Sequence, residues 1–224
     1  MDEVMVRNEV IVYEKNKIYS VIKRILDILL ALILCPIVIF IYIIVKVSYV
    51  FSGDFHSVIF KQKRTGKNGK VFTLYKFRTM VYGNDVYDLT KKDKFTKIGS
   101  LFRKTSLDEL GQIINVLKGE MSFIGPRPWI VEYYENMNDN QRHRCDVLPG
   151  ITGLAQVKGR NNINIFDKIK YDLEYVSNMS FKQDIKIVIL TIKTVISKSG
   201  AYAGKSSIQN EIECLKEQNK KAIN

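Results

Sequence analysis

Residues 28–45 read ILLALILCPIVIFIYIIV and contain no charged side chain. Basic residues flank the segment, with Lys23 and Arg24 before it and Lys46 after it. As an α-helix the segment would be about 27 Å long, at the short end of what crosses a hydrocarbon core. It therefore predicts membrane insertion. No small-residue cleavage site follows, which argues against a secretory signal peptide.

Pro36 lies near the middle of this segment, directly after Cys35. A proline inside a helix removes one backbone hydrogen bond and favours a kink. Because basic residues stand on both flanks, the positive-inside rule favours neither orientation of a single span. Two alternatives fit equally well: a re-entrant helix with both flanks on the cytoplasmic face, and a tilted helix that crosses the membrane.

The composition favours one domain that meets an anionic partner. The chain has 224 residues, a formal net charge of +12, three cysteines and two histidines. That length suits one domain plus an attachment element. The few cysteines and histidines indicate neither a disulfide framework nor a zinc site. The basic charge leaves nucleic acid, a membrane surface and a phosphorylated small molecule as partners.

A β-hairpin is predicted beyond the apolar segment. Residues 58–80 read VIFKQKRTGKNGKVFTLYKFRTM, and their two β-rich halves are joined by a loop with the glycines and asparagine of a tight turn. Phe72 and Leu74 alternate with polar neighbours, which predicts one buried face. Lys76 and Arg78 end the second strand. They could meet a ligand there, or equally be solvated charges on a sheet edge.

Helices are predicted in the second half of the chain. An apolar stripe over residues 106–118 predicts one helix, and residues 166–178 predict another. Residues 184–197 predict a third, which could lie in the membrane interface or pack in the core. We expect the tail from residue 199 to be peripheral. The fold class is therefore α/β (α+β), with segments 1–22 (N-terminal), 23–50 (membrane helix), 51–198 (main domain) and 199–224 (tail).

Two adjacent carboxylates, Asp108 and Glu109, stand at the predicted start of the first of these helices. Ser106 followed by Glu109 has the spacing of a capping box, which would explain Glu109 without any chemistry and is favoured on pattern alone. A helix start also attracts phosphate, but two carboxylates would repel it unless cations neutralise the charge.

Four arginines stand in turns or at the ends of predicted elements: Arg78, Arg103, Arg127 and Arg160. Arginine binds phosphate through its planar, bidentate fork. Carboxylates, Mg²⁺ and several arginines together are the groups that phosphoryl transfer requires. An aspartate can also act as the nucleophile and form an aspartyl phosphate. The residues alone thus indicate a membrane-attached enzyme that acts on phosphates.

Four ordered motifs resemble one family. They are KRILDILLA, the hairpin FKQKRTGKNGKVFTLYKFRTM, IGSLFRKTSLDELGQIINVLKGEMSFIGPRP and LPGITGLAQVKGRN. Together they resemble the bacterial sugar transferases that move a sugar-1-phosphate from a nucleotide sugar to polyprenyl phosphate. The resemblance runs from about residue 23 to residue 197.

The resemblance implies a monotopic enzyme of the bacterial inner (cytoplasmic) membrane whose catalytic domain faces the cytoplasm. Cys35 and Pro36 fall where the family kinks its re-entrant helix. If the family's roles apply here, Asp108 would attack a UDP-sugar, UMP would leave, and undecaprenyl phosphate would accept the phosphosugar. The product would initiate polysaccharide or glycoconjugate assembly. Glu109 would help to hold Mg²⁺.

The resemblance also implies substrate-binding residues: Lys76, Arg78, Arg103, Arg127 and Arg160. The alternative is a binding module whose basic domain docks on anionic lipid while the acidic pair only caps a helix. Nucleic acid is a poor candidate, because the arginines are spread over separate turns and do not follow one reading helix. The sequence is also compatible with a homodimer.

Overall fold

A computed structural model of the protein describes residues 17–83, 95–159, 163–196 and 208–223. The strands are β1 (Ile59–Thr65), β2 (Val71–Phe77), β3 (Ser122–Ile124) and β4 (Gly150–Thr152). The α-helices are α1 (Lys17–Phe51), α2 (Lys97–Thr105), α3 (Ile113–Lys118), α4 (Val131–Glu135), α5 (Asp139–Arg142), α6 (Leu154–Lys158), α7 (Ile165–Ser177), α8 (Phe181–Ile196) and α9 (Ile208–Ile223). The described residues also form 3₁₀ helices at Lys67–Gly69, Leu107–Gln112 and His143–Cys145. The predicted mixed α/β class is confirmed.

The predicted apolar helix is present as α1, which extends beyond residues 23–50 at both ends. It has 35 residues, which gives a length of about 53 Å, and it continues through Cys35 and Pro36 as one element. Among the described residues it is the one helix long and apolar enough to cross a membrane. Insertion as a re-entrant helix stays a prediction.

One face of α1 packs on the rest of the protein along most of its length. Ala31 joins a core cluster with Phe72 and Met121, and Val45 joins a second cluster with Phe77. The opposite face exposes a series of large apolar side chains. The helix is thus held by the domain on one side and presents an apolar surface on the other.

Both ends of α1 bind the same domain. Near its start, Lys23 pairs with Asp184 of α8, a carboxylate that also accepts a hydrogen bond from Tyr19. Near its end, the Tyr49 hydroxyl donates to the carbonyl oxygen of Arg78, just beyond β2. These contacts fasten the two ends of a long apolar helix to one compact unit.

The predicted β-hairpin is confirmed. Strands β1 and β2 pair antiparallel, from Ile59 opposite Phe77 to Thr65 opposite Val71. In the turn, Asn68 has φ = 55° and Gly69 has φ = 76°, in the left-handed region that asparagine and glycine tolerate best. Phe72 and Leu74 are buried as predicted. The hairpin holds Lys76 close to the end of β2.

The capping box predicted at Ser106 and Glu109 is wrong. Ser106 ends α2 with φ = 59°, in the left-handed region, and its side chain caps no helix. The carboxylates then lie in the 3₁₀ helix Leu107–Gln112, which precedes α3. This segment lies so close to β2 that a Cβ on Gly111 would be 3.1 Å from the Lys76 Cα atom. The segment packed on the hairpin is therefore a 3₁₀ helix and not the first turn of an α-helix that the capping box predicted.

The expectation of one continuous apolar stripe is also only partly correct. Ile113 is buried, whereas Ile114 and Leu117 are 38% and 37% exposed. Gly119, with φ = 81°, ends α3 as predicted. The short helix buries one face only and leaves two large apolar side chains on the surface.

The predicted helix over residues 166–178 is confirmed as α7, and the one over residues 184–197 is α8. The latter buries Ile187 but exposes a row of apolar side chains on its other face: Phe181, Ile185, Val188, Ile189 and Ile192. The expectation of a peripheral tail is wrong for residues 208–223, because helix α9 packs on the domain and buries Leu215 completely.

Candidate active site

A cavity of about 560 Å³ opens beside the 3₁₀ helix that carries the two carboxylates. This volume is within the range of small-molecule sites, roughly 300–1,000 Å³. Its lining includes nine charged side chains: Arg64, Lys76, Arg103, Asp108, Glu109, Arg127, Lys168, Asp172 and Glu211. The cavity therefore brings together five of the residues predicted for the site: Lys76, Arg103, Asp108, Glu109 and Arg127.

Glu109 is held between two cations. Its Oε1 atom accepts hydrogen bonds from Lys76 Nζ at 3.0 Å and from Arg127 Nη2 at 2.8 Å. Burial alone would raise the pKa of Glu109, but Arg127 and Lys76 hold that pKa well below its usual value. Glu109 is therefore ionised at neutral pH.

The pKa values of the two cations shift in opposite directions, although Glu109 favours the charged form of both. The Glu109 carboxylate raises the pKa of Arg127. Burial lowers the pKa of Lys76, although Glu109 opposes the shift. The three side chains thus form one charged cluster with a net charge of about +1 when all are ionised. A phosphate oxygen in this part of the cavity would meet cations that are already in position.

Asp108 lies beside this cluster but is not clamped by it. Among the described residues, no side chain donates a hydrogen bond to its carboxylate. Burial raises the pKa of Asp108, and Lys76 partly offsets that effect while Glu109 adds to it. An unclamped, partly desolvated carboxylate that lines a cavity is available to a ligand, as a nucleophile or a base must be.

Two of the four predicted arginines line the cavity. Arg127 belongs to the Gly-Pro turn between β3 and α4, and Arg103 lies on the last turn of α2. The Arg103 Nε atom donates to the Thr79 hydroxyl at 3.1 Å, and its guanidinium lies over the Phe95 ring. These contacts orient Arg103 at the edge of the site.

The structure does not bring Arg78 to the cavity. Its guanidinium is buried and binds Asp54 at 2.7 Å, as well as the carbonyl oxygens of Ser57 and Met80. Arg78 therefore ties β2 to the loop that follows α1, and a role in phosphate binding stays a prediction. Arg160 lies outside the described residues.

A buried ion pair that the sequence did not reveal supports the turn with Arg127. Asp172 of α7 accepts hydrogen bonds from Arg144 Nε at 3.0 Å and from Arg144 Nη2 at 2.5 Å. Arg144 Nη2 also donates to the carbonyl oxygen of Arg127 at 2.7 Å. Arg144 and Asp172 are 28 positions apart, with no periodic pattern between them, so only the folded chain shows the pair.

Lys168 and Glu211 form a second charged group on the cavity. Lys168 Nζ lies 2.8 Å from Glu211 Oε1, and the Tyr133 hydroxyl donates to Glu211 Oε2 at 2.6 Å. Glu211 belongs to α9, which we expected to be peripheral. The polar residues of the tail gave no signal that one of them would reach the cavity.

The described residues fit Mg²⁺ only together with a phosphorylated ligand. No group of three histidine, cysteine, aspartate or glutamate side chains within the described ranges could hold a metal ion. Mg²⁺ is commonly bound by one or two carboxylates plus substrate phosphates and water, which Asp108 and Glu109 could complete with a diphosphate. Because Glu109 already binds two cations, the ligand's negative charge would have to compensate for the added one.

Comparison with known proteins agrees with this geometry. The chain matches the family model described as bacterial sugar transferase over residues 18–198. It is 41% identical over 202 residues to the galactosyl transferase CpsE of Streptococcus agalactiae, covering 82% of this chain and 44% of that protein. It is 43% identical over 184 residues to the sugar transferase EpsL of Bacillus subtilis, covering 80% and 90%.

A third relative is the UDP-glucose:undecaprenyl-phosphate glucose-1-phosphate transferase of Escherichia coli. It is 42% identical over 197 residues, which cover 81% of this chain and 41% of that protein. The chain thus spans less than half the length of two of these three relatives. The family match nevertheless includes both carboxylates and the two cations, Lys76 and Arg127, that bind Glu109. This chain therefore belongs to the bacterial sugar transferase family.

Proposed function

We propose that the protein is a membrane-attached enzyme that transfers a sugar-1-phosphate from a UDP-sugar to undecaprenyl phosphate, with release of UMP. The observation that carries this proposal is that two adjacent carboxylates differ in their partners. Glu109 is clamped by Lys76 and Arg127, whereas Asp108 faces the cavity without a clamp. A diphosphate needs such cations for binding, and a covalent mechanism needs one carboxylate that is not engaged.

The first half-reaction would use Asp108 as the nucleophile. A carboxylate oxygen forms a bond to the β-phosphorus, and the bond from that phosphorus to the bridging oxygen breaks. UMP leaves with the electron pair, and the phosphosugar stays on Asp108. Lys76 and Arg127 lie where they can neutralise charge that develops on the phosphate oxygens.

The second half-reaction would regenerate the enzyme. An oxygen of undecaprenyl phosphate forms a bond to the same phosphorus, the bond between phosphorus and the Asp108 oxygen breaks, and the carboxylate is restored. In the first half-reaction, Mg²⁺ held by Glu109 and the donor's diphosphate would supply further charge neutralisation. The product is undecaprenyl diphosphate carrying the sugar, on which a glycan could be assembled.

The surface of the protein supports attachment to one face of a membrane. The outer face of α1 and the row Phe181, Ile185, Val188, Ile189 and Ile192 on α8 are apolar and exposed. Such surfaces are typical of helices that lie in a bilayer or at its interface. Because both ends of α1 bind one domain, a straight crossing would require polar parts of that domain to enter the hydrocarbon. We therefore favour re-entrant insertion in the cytoplasmic membrane, with the domain on the cytoplasmic face.

Helix α8 offers a route between bilayer and cavity. Thr191 and Val195 line the cavity, whereas Ile189 and Ile192 are exposed on the apolar row. One helix thus borders both the cavity and the surface that we assign to the membrane. A lipid phosphate at the interface could reach Asp108 along this helix without leaving its polyprenyl chain in water.

The test is a single-turnover experiment with purified protein in detergent or nanodiscs. With Mg²⁺ and a panel of UDP-sugars but no acceptor, we expect a burst of UMP equal to the enzyme concentration and a phosphosugar adduct in the intact mass. Undecaprenyl phosphate should then convert the adduct into lipid-linked sugar. Asp108→Asn should abolish both steps, whereas Asp139→Asn, at a position whose side chain is 97% exposed, should not.

Two results would contradict the proposal. If no donor on the panel gives UMP and lipid-linked sugar, the assigned reaction is wrong. If Asp108→Asn keeps the burst and the adduct, the nucleophile is another residue. A normal thermal unfolding curve for Asp108→Asn would show that any loss of activity comes from the carboxylate and not from misfolding.

A further inference from the structure

Helix α9 is firmly docked on the domain although it follows the region shared with the family, which ends at residue 198. Leu215 is fully buried in a cluster with Trp129 and Tyr133, and Ile212 packs against the same cluster. On the polar side, the Gln141 side-chain amide donates to Gln218 at 2.8 Å. The helix is therefore a fixed part of the structure beside the cavity.

The first turn of α9 reaches the same cavity as the two carboxylates. Ile208 and Glu211 both line it. The Glu211 side chain is only 13% exposed and is fixed by Lys168 and by the Tyr133 hydroxyl, two residues that also line the cavity. A carboxylate fixed in this way on a docked helix is a pre-organised acceptor and not a mobile surface charge.

We propose that α9 completes the substrate site and that Glu211 accepts a hydrogen bond from a hydroxyl of the donor's sugar, so that this helix helps to select the sugar. The inference rests on the proposed function above. Glu211 suits a hydroxyl, because a carboxylate accepts short, strong hydrogen bonds from O–H groups and has about four acceptor positions. It does not suit the diphosphate, which its negative charge would repel.

The family comparison favours the sugar over the nucleotide as the part that Glu211 contacts. By name, one relative transfers glucose-1-phosphate from UDP-glucose and another is a galactosyl transferase, so the sugar differs within the family. A group that follows the shared region can differ between members without disturbing the common reaction. A contact to the part of the donor that varies is best placed there.

The experiment compares Glu211→Gln with the matched control Glu217→Gln, which makes the same change at an exposed position of the same helix. For each protein, kcat and KM are measured with UDP-glucose, UDP-galactose and their N-acetylamino counterparts. Trp129, the single tryptophan, lines the cavity, so its fluorescence also reports the binding of each UDP-sugar and of UDP. Thermal unfolding checks that α9 stays docked.

For Glu211→Gln we expect kcat/KM to fall by about tenfold to a hundredfold with the preferred donor and by less with sugars that lack the matching hydroxyl. The affinity for UDP should not change, and Glu217→Gln should behave as the wild type. An equal loss of kcat/KM with every UDP-sugar would overturn the proposal, and so would kcat/KM values equal to those of the wild type with every donor. A weaker affinity for UDP itself would assign Glu211 to the nucleotide instead.

A failure of the proposed function gives a different result. If the wild type transfers no sugar, the reaction is wrong, but the fluorescence titrations still compare the binding of the UDP-sugars by the wild type and by Glu211→Gln. Should no UDP-sugar bind to the wild type, both proposals fail. Leu215→Ala provides a second check, because it weakens the packing of α9 without replacing the Glu211 side chain, and it should reduce the discrimination between sugars.

Discussion

The buried ion pair between Arg144 and Asp172 allows a quantitative prediction. The two side chains are 2% and 1% exposed, and two hydrogen bonds join them. The Arg144 guanidinium also lies 3.8 Å from the centre of the Trp129 ring. Asp172→Asn keeps the shape of the side chain but removes its charge, so a guanidinium would remain in the interior without an anion.

Removing one partner of a buried ion pair costs about 3–5 kcal/mol, because the other charge stays buried without compensation. For a chain of this size, 1 kcal/mol corresponds to roughly 2–4 °C in the unfolding temperature. We therefore expect Asp172→Asn to lower the unfolding temperature by about 6–20 °C. Thermal unfolding of the solubilised protein, followed by circular dichroism, measures this shift.

The matched control is Asp139→Asn. Asp139 pairs with Arg142 at 3.2 Å, but its side chain is 97% exposed, so the same change should leave the unfolding temperature as it is. Equal shifts for the two variants, or a shift below about 2 °C for Asp172→Asn, would refute the reasoning. Replacing both Arg144 and Asp172 by methionine and leucine should recover much of the loss.

Two further predictions concern the site and the membrane. Lys76 lowers the pKa of Asp108, so Lys76→Met should raise that pKa. As the pH is lowered, kcat/KM of this variant should then begin to fall at a higher pH than kcat/KM of the wild type, as measured by UMP release. An unchanged acid limb of the pH profile would count against Asp108 as the ionised nucleophile. In the re-entrant arrangement, both ends of α1 lie on the same side of the membrane. Cysteines introduced as Ser20→Cys and Ser52→Cys should then react with an impermeant maleimide from the same side of sealed vesicles as the native, exposed Cys214. Labelling of the two ends of α1 from opposite sides would indicate a crossing helix.

Local signals in the sequence predicted much of the fold. The apolar run of α1, the turn residues of the hairpin and the periodicity of α7 each depend on neighbours in the chain. Such patterns report the secondary structure that a segment favours without help from distant residues. The resemblance to a family added the expected roles of the two carboxylates, and the structure shows Lys76, Arg103 and Arg127 in the lining of one cavity.

The incorrect expectations concern residues whose conformation depends on distant partners. Ser106 and Glu109 have the spacing of a capping box, but Glu109 contacts Lys76, 33 positions before it, and Arg127, 18 positions after it. These charged contacts outweigh a cap that contributes about 1 kcal/mol. The docking of α9 was also missed, because Ile212 and Leu215 are few apolar residues in a mostly polar segment and their partners, among them Tyr133 and Ile169, are distant in the chain.

The opposite behaviour of two neighbouring carboxylates is the strongest physical reason to assign them different roles. Glu109 and Asp108 differ by one position, yet the pKa of the first is lowered and the pKa of the second is raised. Environments that move such values apart commonly separate a structural or electrostatic group from a reacting one. Glu109 forms ion pairs with Lys76 and Arg127, and these pairs fix both cations beside Asp108. The carboxylate that would attack a phosphate thus gains positive neighbours from the carboxylate that would not.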